Sequence, residues 1–209
     1  MAGSSPVLED GSLLSRFDTR LHKFEGFLAL ISGLAVFMLM VLAVVSVSGR
    51  NGFNMPLPGY VDWIEQLMPV IAFLGIAYTQ RDGGHIRMDI VVGRLKGRTL
   101  WTAEFITTFV SLVLMVLLIW GSWAHFQRSF DFAAPMWSRD STIDIALPLW
   151  PAKLLAPVAF SVLAVRLVIQ LIAYAQGLIR GGTPVAVPLV QSAADQAAEE
   201  AMHVSGADS

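Results

Sequence analysis

Two stretches of this chain, Gly26 to Gly49 and Phe105 to Gln127, carry no charged side chain. Each exceeds the roughly 20 residues that a helix needs to cross the hydrocarbon core of a bilayer. That length constrains the fold more than any other feature. Backbone N–H and C=O groups in lipid must be satisfied within the protein, which only helices and closed barrels achieve. Two further apolar runs, Tyr60 to Gln80 and Pro148 to Gln176, are also of membrane length. The expected fold is an all-α integral membrane protein with four spans at about 24–48, 60–80, 100–125 and 148–176. Composition agrees, because 14% charged residues against 55% hydrophobic are too few to cover a soluble domain. The first apolar run is too long for a signal-peptide core of roughly 7–15 residues, so it is expected to stay as a span.

Charge sets the expected orientation. Five basic residues (Arg81, Arg87, Arg94, Lys96 and Arg98) crowd the segment between the second and third spans, and Arg16, Arg20 and Lys23 precede the first. The loop after the first span has Arg50, and the loop after the third has Arg128 and Arg139 set among Asp131, Asp140 and Asp144. Lys and Arg are held on the cytoplasmic side, so both termini are expected there. Residues 1–23 then form a cytoplasmic tail, 24–176 the membrane domain and 177–209 a second, polar tail expected to be disordered. Trp63, Trp101, Trp120, Trp123 and Trp150 fall near span ends, where indole rings prefer the interface.

Several chemistries are excluded or disfavoured. There is no cysteine, hence no thiolate metal site, disulfide or thiol nucleophile. No phosphate loop, metal-spaced His/Glu set or nucleophile elbow is present, so no enzyme activity, metal or cofactor is expected, nor a nucleic-acid partner. Bis-histidine haem ligation needs facing histidines inside the membrane. His22, His85, His125 and His203 cannot supply such a pair.

Charge inside a span is costly and marks a candidate site. Arg166 lies 14 residues before Arg180, roughly 20 Å along a helix, so it is expected within the bilayer. It either snorkels to the headgroups or pairs with an acid on another helix or a partner chain. Glu65 shares a helix face with Asp62 near one end of the second span. That pair suits either a cation site or a structural face. Glu25 and Glu104 near span starts complement the helix dipole. Pro69 predicts a kink in the second span. The basic segment after it contains Arg81, Gly83, Gly84, His85, Arg87 and Asp89, with Ile86, Met88, Ile90 and Val91 interleaved. It suits a short interfacial cytoplasmic helix touching anionic lipid, or a polar corner fixing the second span against the third.

The segment Phe73 to Arg98, reading FLGIAYTQRDGGHIRMDIVVGRLKGR, resembles the signature of the small membrane subunit of TRAP transporters, the DctQ-like family. Gly75, Arg81, Gly83, Gly84, His85, Ile86, Arg87, Met88 and Asp89 fill the positions of that motif. The run Asp144 to Lys153 is similar to the family's Pro/Trp-containing start of the fourth span. The chain departs from the family at Glu65, which is followed by Gln66 where adjacent acids are frequent. The resemblance implies a multi-pass subunit of the bacterial inner membrane. Its partners would be a large permease subunit, which performs sodium-driven uptake of an organic acid, and a periplasmic binding protein that delivers the substrate. Glu65, Arg166, Arg81, His85, Arg87 and Asp89 are then candidates for subunit or lipid contacts. Trp137, Arg139 and Asp140 are candidates for touching the binding protein. The alternatives are a stand-alone small transporter with Glu65 as coupling acid, and a membrane anchor for a respiratory or signalling complex.

Overall fold

Four helical stretches are long and apolar enough to cross a membrane: Leu14–Phe53, Tyr60–Gln80, Arg98–Ser129 and Trp150–Ile179. They belong to a computed structural model that describes residues 13–55, 57–81, 98–180 and 187. Helix α1 runs Leu13–Phe53, α2 Tyr60–Leu74, α3 Ile76–Arg81, α4 Arg98–Ser129 and α5 Trp150–Arg180, with a short 3-10 turn at Pro135–Trp137. Among the described residues the extended pairings are two isolated bridges, Phe130 with Ser138 and Ser141 with Pro148.

The helices outrun the membrane. With 41 residues, α1 is roughly 60 Å long, about twice the hydrocarbon thickness. It starts at Leu13, so a stretch assigned by composition to a polar tail is helical. Ser15, Asp18 and Glu25, spaced for one helix face, are all buried. Helix α5, with 31 residues, spans roughly 46 Å.

The second span is interrupted at Gly75. Helix α2 continues through Pro69 and ends at Leu74. The Gly75 N–H turns back to the carbonyl of Phe73. The carbonyl of Ile71, which Gly75 would meet in an unbroken helix, instead accepts the Ser32 hydroxyl at 3.1 Å. A hydroxyl on α1 thus stabilises the break, as a freed carbonyl away from water requires.

Contacts divide the chain into two units. The described part of the first comprises residues 13–20, 79–81, 98–111, 166–180 and 187, and the second comprises 21–78 and 112–165 apart from Pro56. In the first, Ala173, Tyr174 and Val187 are buried, with Leu14, Trp101 and Phe105 packed on them. Trp101 stacks on Tyr174 at 6.3 Å. In the second, Phe73 meets Phe160 edge to face at 5.4 Å and His22 stacks on Tyr78 at 5.3 Å. Helix α5 is the most covered span, with 39% of its apolar window buried against 6% for α1 and for α4. Phe27, Leu34, Phe37, Phe109, Leu114 and Leu117 therefore present apolar surface to whatever surrounds the chain.

Glycine is required at the start of α2. Gly59 has φ +68, and a Cβ there would lie 2.6 Å from the Ile145 side chain. Gly59→Ala is expected to destabilise the fold by roughly 1–3 kcal/mol, from left-handed strain plus the displaced isoleucine. A thermal melt in detergent followed by tryptophan fluorescence checks this; an unchanged midpoint would show that the turn relaxes freely.

Candidate functional site

Two sets of polar groups stand out against the apolar helices, one in each unit. In the first unit, Arg166 on α5 is fully buried and Nη1 donates to Oδ1 of Asp18 on α1. One turn further along α5, Gln170 is buried as well, and its Oε1 accepts from Gln80 Nε2 of α3 at 3.1 Å. Arg166 and Gln170 are four residues apart, so they share one face of α5. That face joins α5 to α1 and α3 through polar contacts. Buried charge must be paired to be tolerated, and the pairing lies within this chain. Asp18 was not apparent from sequence, because it lies in the stretch assigned to a tail.

In the second unit the loop between α4 and α5 folds around a single carboxylate. Asp62, in the first turn of α2, is buried. Its Oδ2 accepts the Thr142 hydroxyl at 2.6 Å, the Ile145 N–H at 2.7 Å and the Asp144 N–H at 3.1 Å. Thr142 Oγ1 in turn accepts the Leu147 N–H at 2.8 Å, and the Thr142 N–H donates to the Leu147 carbonyl at 2.9 Å. Gln66, one turn along α2, donates to the Pro148 carbonyl at 2.7 Å. The Asp62/Glu65 face thus resolves unevenly. Asp62 holds the loop, while Glu65 is exposed and has no side-chain partner among the described residues.

The rest of this loop is also tied down. Lys153 Nζ donates to Asp140 Oδ2 at 2.6 Å and to Ser129 Oγ at 3.1 Å, while Ser129 Oγ donates to Asp140 at 2.9 Å. Arg139 Nε donates to Asp131 at 3.0 Å, and the Ala133 N–H caps the other oxygen of Asp131 at 3.0 Å. Trp150 Nε1 donates to the Met136 carbonyl at 3.1 Å, and its ring meets Phe130 edge to face. Met136 and Trp137 adopt positive φ, +53 and +58, which turns the Trp137 side chain half out to solvent beside Trp150. Phe132, Met136, Trp137 and Ile143 are exposed on this ordered loop.

The carboxylates of the loop make it acid-sensitive. Lys153, and then Ser129, hold the Asp140 carboxyl below its ordinary 3.8. The Ala133 N–H, then Arg139, lower Asp131 from the same value. A depressed folded pKa contributes stability above the unfolded value, which is lost as pH falls through the folded one. The loop is therefore expected to stay closed from neutral pH to about pH 4 and to open below that. Hydrogen exchange at the Arg139 amide, which donates to the Ser129 carbonyl at 2.9 Å, would report the opening. In Lys153→Met the opening should begin at higher pH; an identical profile would mean that Lys153 does not hold the loop.

The other sequence candidates fall as follows. Trp137, Arg139 and Asp140 lie together on this loop, Arg139 and Asp140 engaged by Asp131 and Lys153. Arg81 closes α3, and its side chain lies outside the described residues, as do His85, Arg87 and Asp89 with the rest of the basic segment. Among the described residues no group of three or more His, Cys, Asp or Glu could hold a metal ion.

Four membrane-length helices, with their polar side chains joined to one another, define a multi-pass membrane protein. Residues 39–177 match the family described as the DctQ component of tripartite ATP-independent periplasmic transporters, and the chain belongs to that family. It is a multi-pass protein of the bacterial inner membrane. It is also similar to a Haemophilus influenzae protein named "Putative TRAP transporter small permease protein", at 27% identity over 99 residues. That match covers 47% of this chain and 62% of the relative, so the chain spans less than two thirds of the relative's length.

Proposed function

We propose that this chain is the small, non-carrier membrane subunit of a TRAP-type secondary transporter. It anchors the scaffold of a separately encoded large permease subunit, which takes up an organic acid with sodium after a periplasmic binding protein delivers it. The observation that carries this reading is where the polar groups of the helices go. Arg166 is engaged by Asp18, Gln170 by Gln80, and Asp62 by the loop residues Thr142, Asp144 and Ile145. Groups committed to holding helices together suit a rigid support. A carrier needs a hydrated site of free ligands near the midplane.

In this reading the largely uncovered faces of α1 and α4 meet the large subunit or lipid. Both termini and the basic segment with Arg81, His85, Arg87 and Asp89 lie in the cytoplasm, following the charge distribution. The loop carrying Trp137, Arg139 and Asp140 then faces the periplasm and offers a preformed surface to the binding protein. Glu65, exposed on α2, is available to a neighbouring subunit.

A mild-detergent pull-down from the native membrane tests the reading. Recovery of a large multi-span permease in equal amount is expected. Recovery of this chain alone as a stable oligomer, with uptake by that oligomer in vesicles, would replace it with a stand-alone transporter. Co-purification with a redox or sensor subunit would make it an anchor.

A further inference from the structure

In the second unit a cleft of about 740 Å³ opens where α1 ends and α2 begins. Ser46, Val47 and Arg50 line it from α1, Tyr60 from α2, and Asp144 and Ile145 from the strapped loop. Three observations say what it takes. Ser46 is only 8% exposed, yet its hydroxyl has no hydrogen-bond partner among the described residues, although it lines the cleft. A hydroxyl that lines the cleft and is not used within the fold can donate to or accept from a ligand. Arg50, one turn along α1, is exposed and pairs with no acid among the described residues. Asp144 is committed through its backbone N–H to Asp62, but its carboxylate is likewise unpaired and makes no salt bridge with Arg50. Among the described residues the cleft thus holds one cation and one anion without a charged partner, over a wall that includes Val47 and Ile145.

We propose that this cleft binds the headgroup of a zwitterionic aminophospholipid. The phosphate takes the guanidinium of Arg50 and the hydroxyl of Ser46, with the Tyr60 hydroxyl within the same cleft. The ammonium takes the Asp144 carboxylate. The glycerol and first methylenes lie along Val47 and Ile145, and the acyl chains leave beside the apolar face of α1. Both signs of charge argue against a simple phosphate, because a bare anion would meet the Asp144 carboxylate with nothing to offset it. Position argues for lipid over a soluble phosphoamine. Arg50 and Tyr60 flank the turn between two membrane-length helices, and a turn between spans lies outside the hydrocarbon, where headgroups are. Arginine at a phosphate also has the geometry for paired hydrogen bonds. The strap around Asp62 fixes Asp144 and Ile145, so the site is formed before the lipid arrives.

Native mass spectrometry of the full chain, extracted in mild detergent and exchanged with phosphatidylethanolamine or phosphatidylglycerol, tests this. One phosphatidylethanolamine is expected to be retained, favoured about tenfold over phosphatidylglycerol through the charge-assisted contact to Asp144. Asp144→Asn, which keeps the backbone N–H and the side-chain shape, should abolish that preference. Arg50→Gln should lower retention of both lipids about tenfold, and Arg50→Lys should restore most of it. Melting midpoints equal to the parent chain's would show that the variants fold. Equal retention of the two lipids by the parent chain would overturn the proposal, as would retention unchanged in Arg50→Gln. Displacement of the lipid by millimolar phosphoethanolamine would assign the cleft to a soluble ligand and overturn it too. The site does not depend on the partner subunits, so failure of either reading leaves the other standing.

Discussion

Replacing Asp18 with alanine is expected to lower stability by roughly 3–5 kcal/mol, the largest effect of any single substitution considered for this chain. The cost comes from the residue left behind. Side-chain exposure is 0% for Arg166 and 1% for Asp18, so removing the carboxylate takes a charged partner from a guanidinium that stays buried. Arg166→Ala should cost a similar amount by removing the same buried contact. The double variant Asp18→Leu with Arg166→Met should recover most of the loss, because well-packed apolar side chains replace a buried pair at little cost. Unfolding in mixed micelles, with all four proteins compared, gives the coupling directly. Additive losses in the double variant would show that the pair is not the unit holding α1 to α5. If the pair holds, hydrogen exchange in residues 13–20 should rise in Asp18→Ala, since that part of α1 is anchored to α5 through this contact.

The second large effect is expected at Asp62. One oxygen of this carboxylate receives three donors from a loop some 80 residues away in sequence. Asp62→Ala would leave the Thr142 hydroxyl and two backbone N–H groups without their acceptor in a part-buried loop. The melting midpoint is expected to fall by roughly 4–10 °C, scaled for a chain of this size. Amide exchange at Asp144 and Ile145 should accelerate on the order of 100-fold, because opening the loop no longer requires breaking those bonds. Asp62→Asn should be intermediate, since the amide oxygen can still accept and the lost charge weakens each bond. Protection at Ile145 that survives Asp62→Ala would remove the carboxylate from this account. In the proposed transporter the same variant should weaken docking of the binding protein without releasing the large subunit, because the loop changes and the helix faces do not.

Much of this was legible in the chain's order of residues. Long uncharged runs can only be lipid-crossing helices, and four spans were legible because hydrophobicity must match bilayer thickness, although the first helix begins about ten residues before its expected span. The family was legible in the basic segment after Gly75, whose glycines and His85-Ile86-Arg87-Met88-Asp89 form a fixed local pattern. Arg166 drew notice because a charge in an apolar run is conspicuous. Its partner did not, because Asp18 sits in a polar, unremarkable stretch and pairing at a separation of 148 residues leaves no local trace. The break in the second span shows the same limit. The helix passes Pro69 and ends before Gly75, where Ser32 from another helix satisfies the freed carbonyl of Ile71, a contact no local signal announces.

Sequence alone therefore determined class, span number and family, because each depends on composition or on contiguous residues. It also marked Trp137, Arg139 and Asp140 as a set, since they are neighbours in the chain. Only the tertiary structure decided which polar groups spend their charge inside the chain and which remain free. Asp62 and Glu65 show this best. They are three residues apart on one helix and chemically alike, and no local rule separates them. One meets three donors brought by a distant loop and becomes the loop's anchor; the other faces outward. Hydrophobic burial is set by long runs of residues and survives local detail. A hydrogen bond depends on a few tenths of an ångström between segments that only the folded chain brings together.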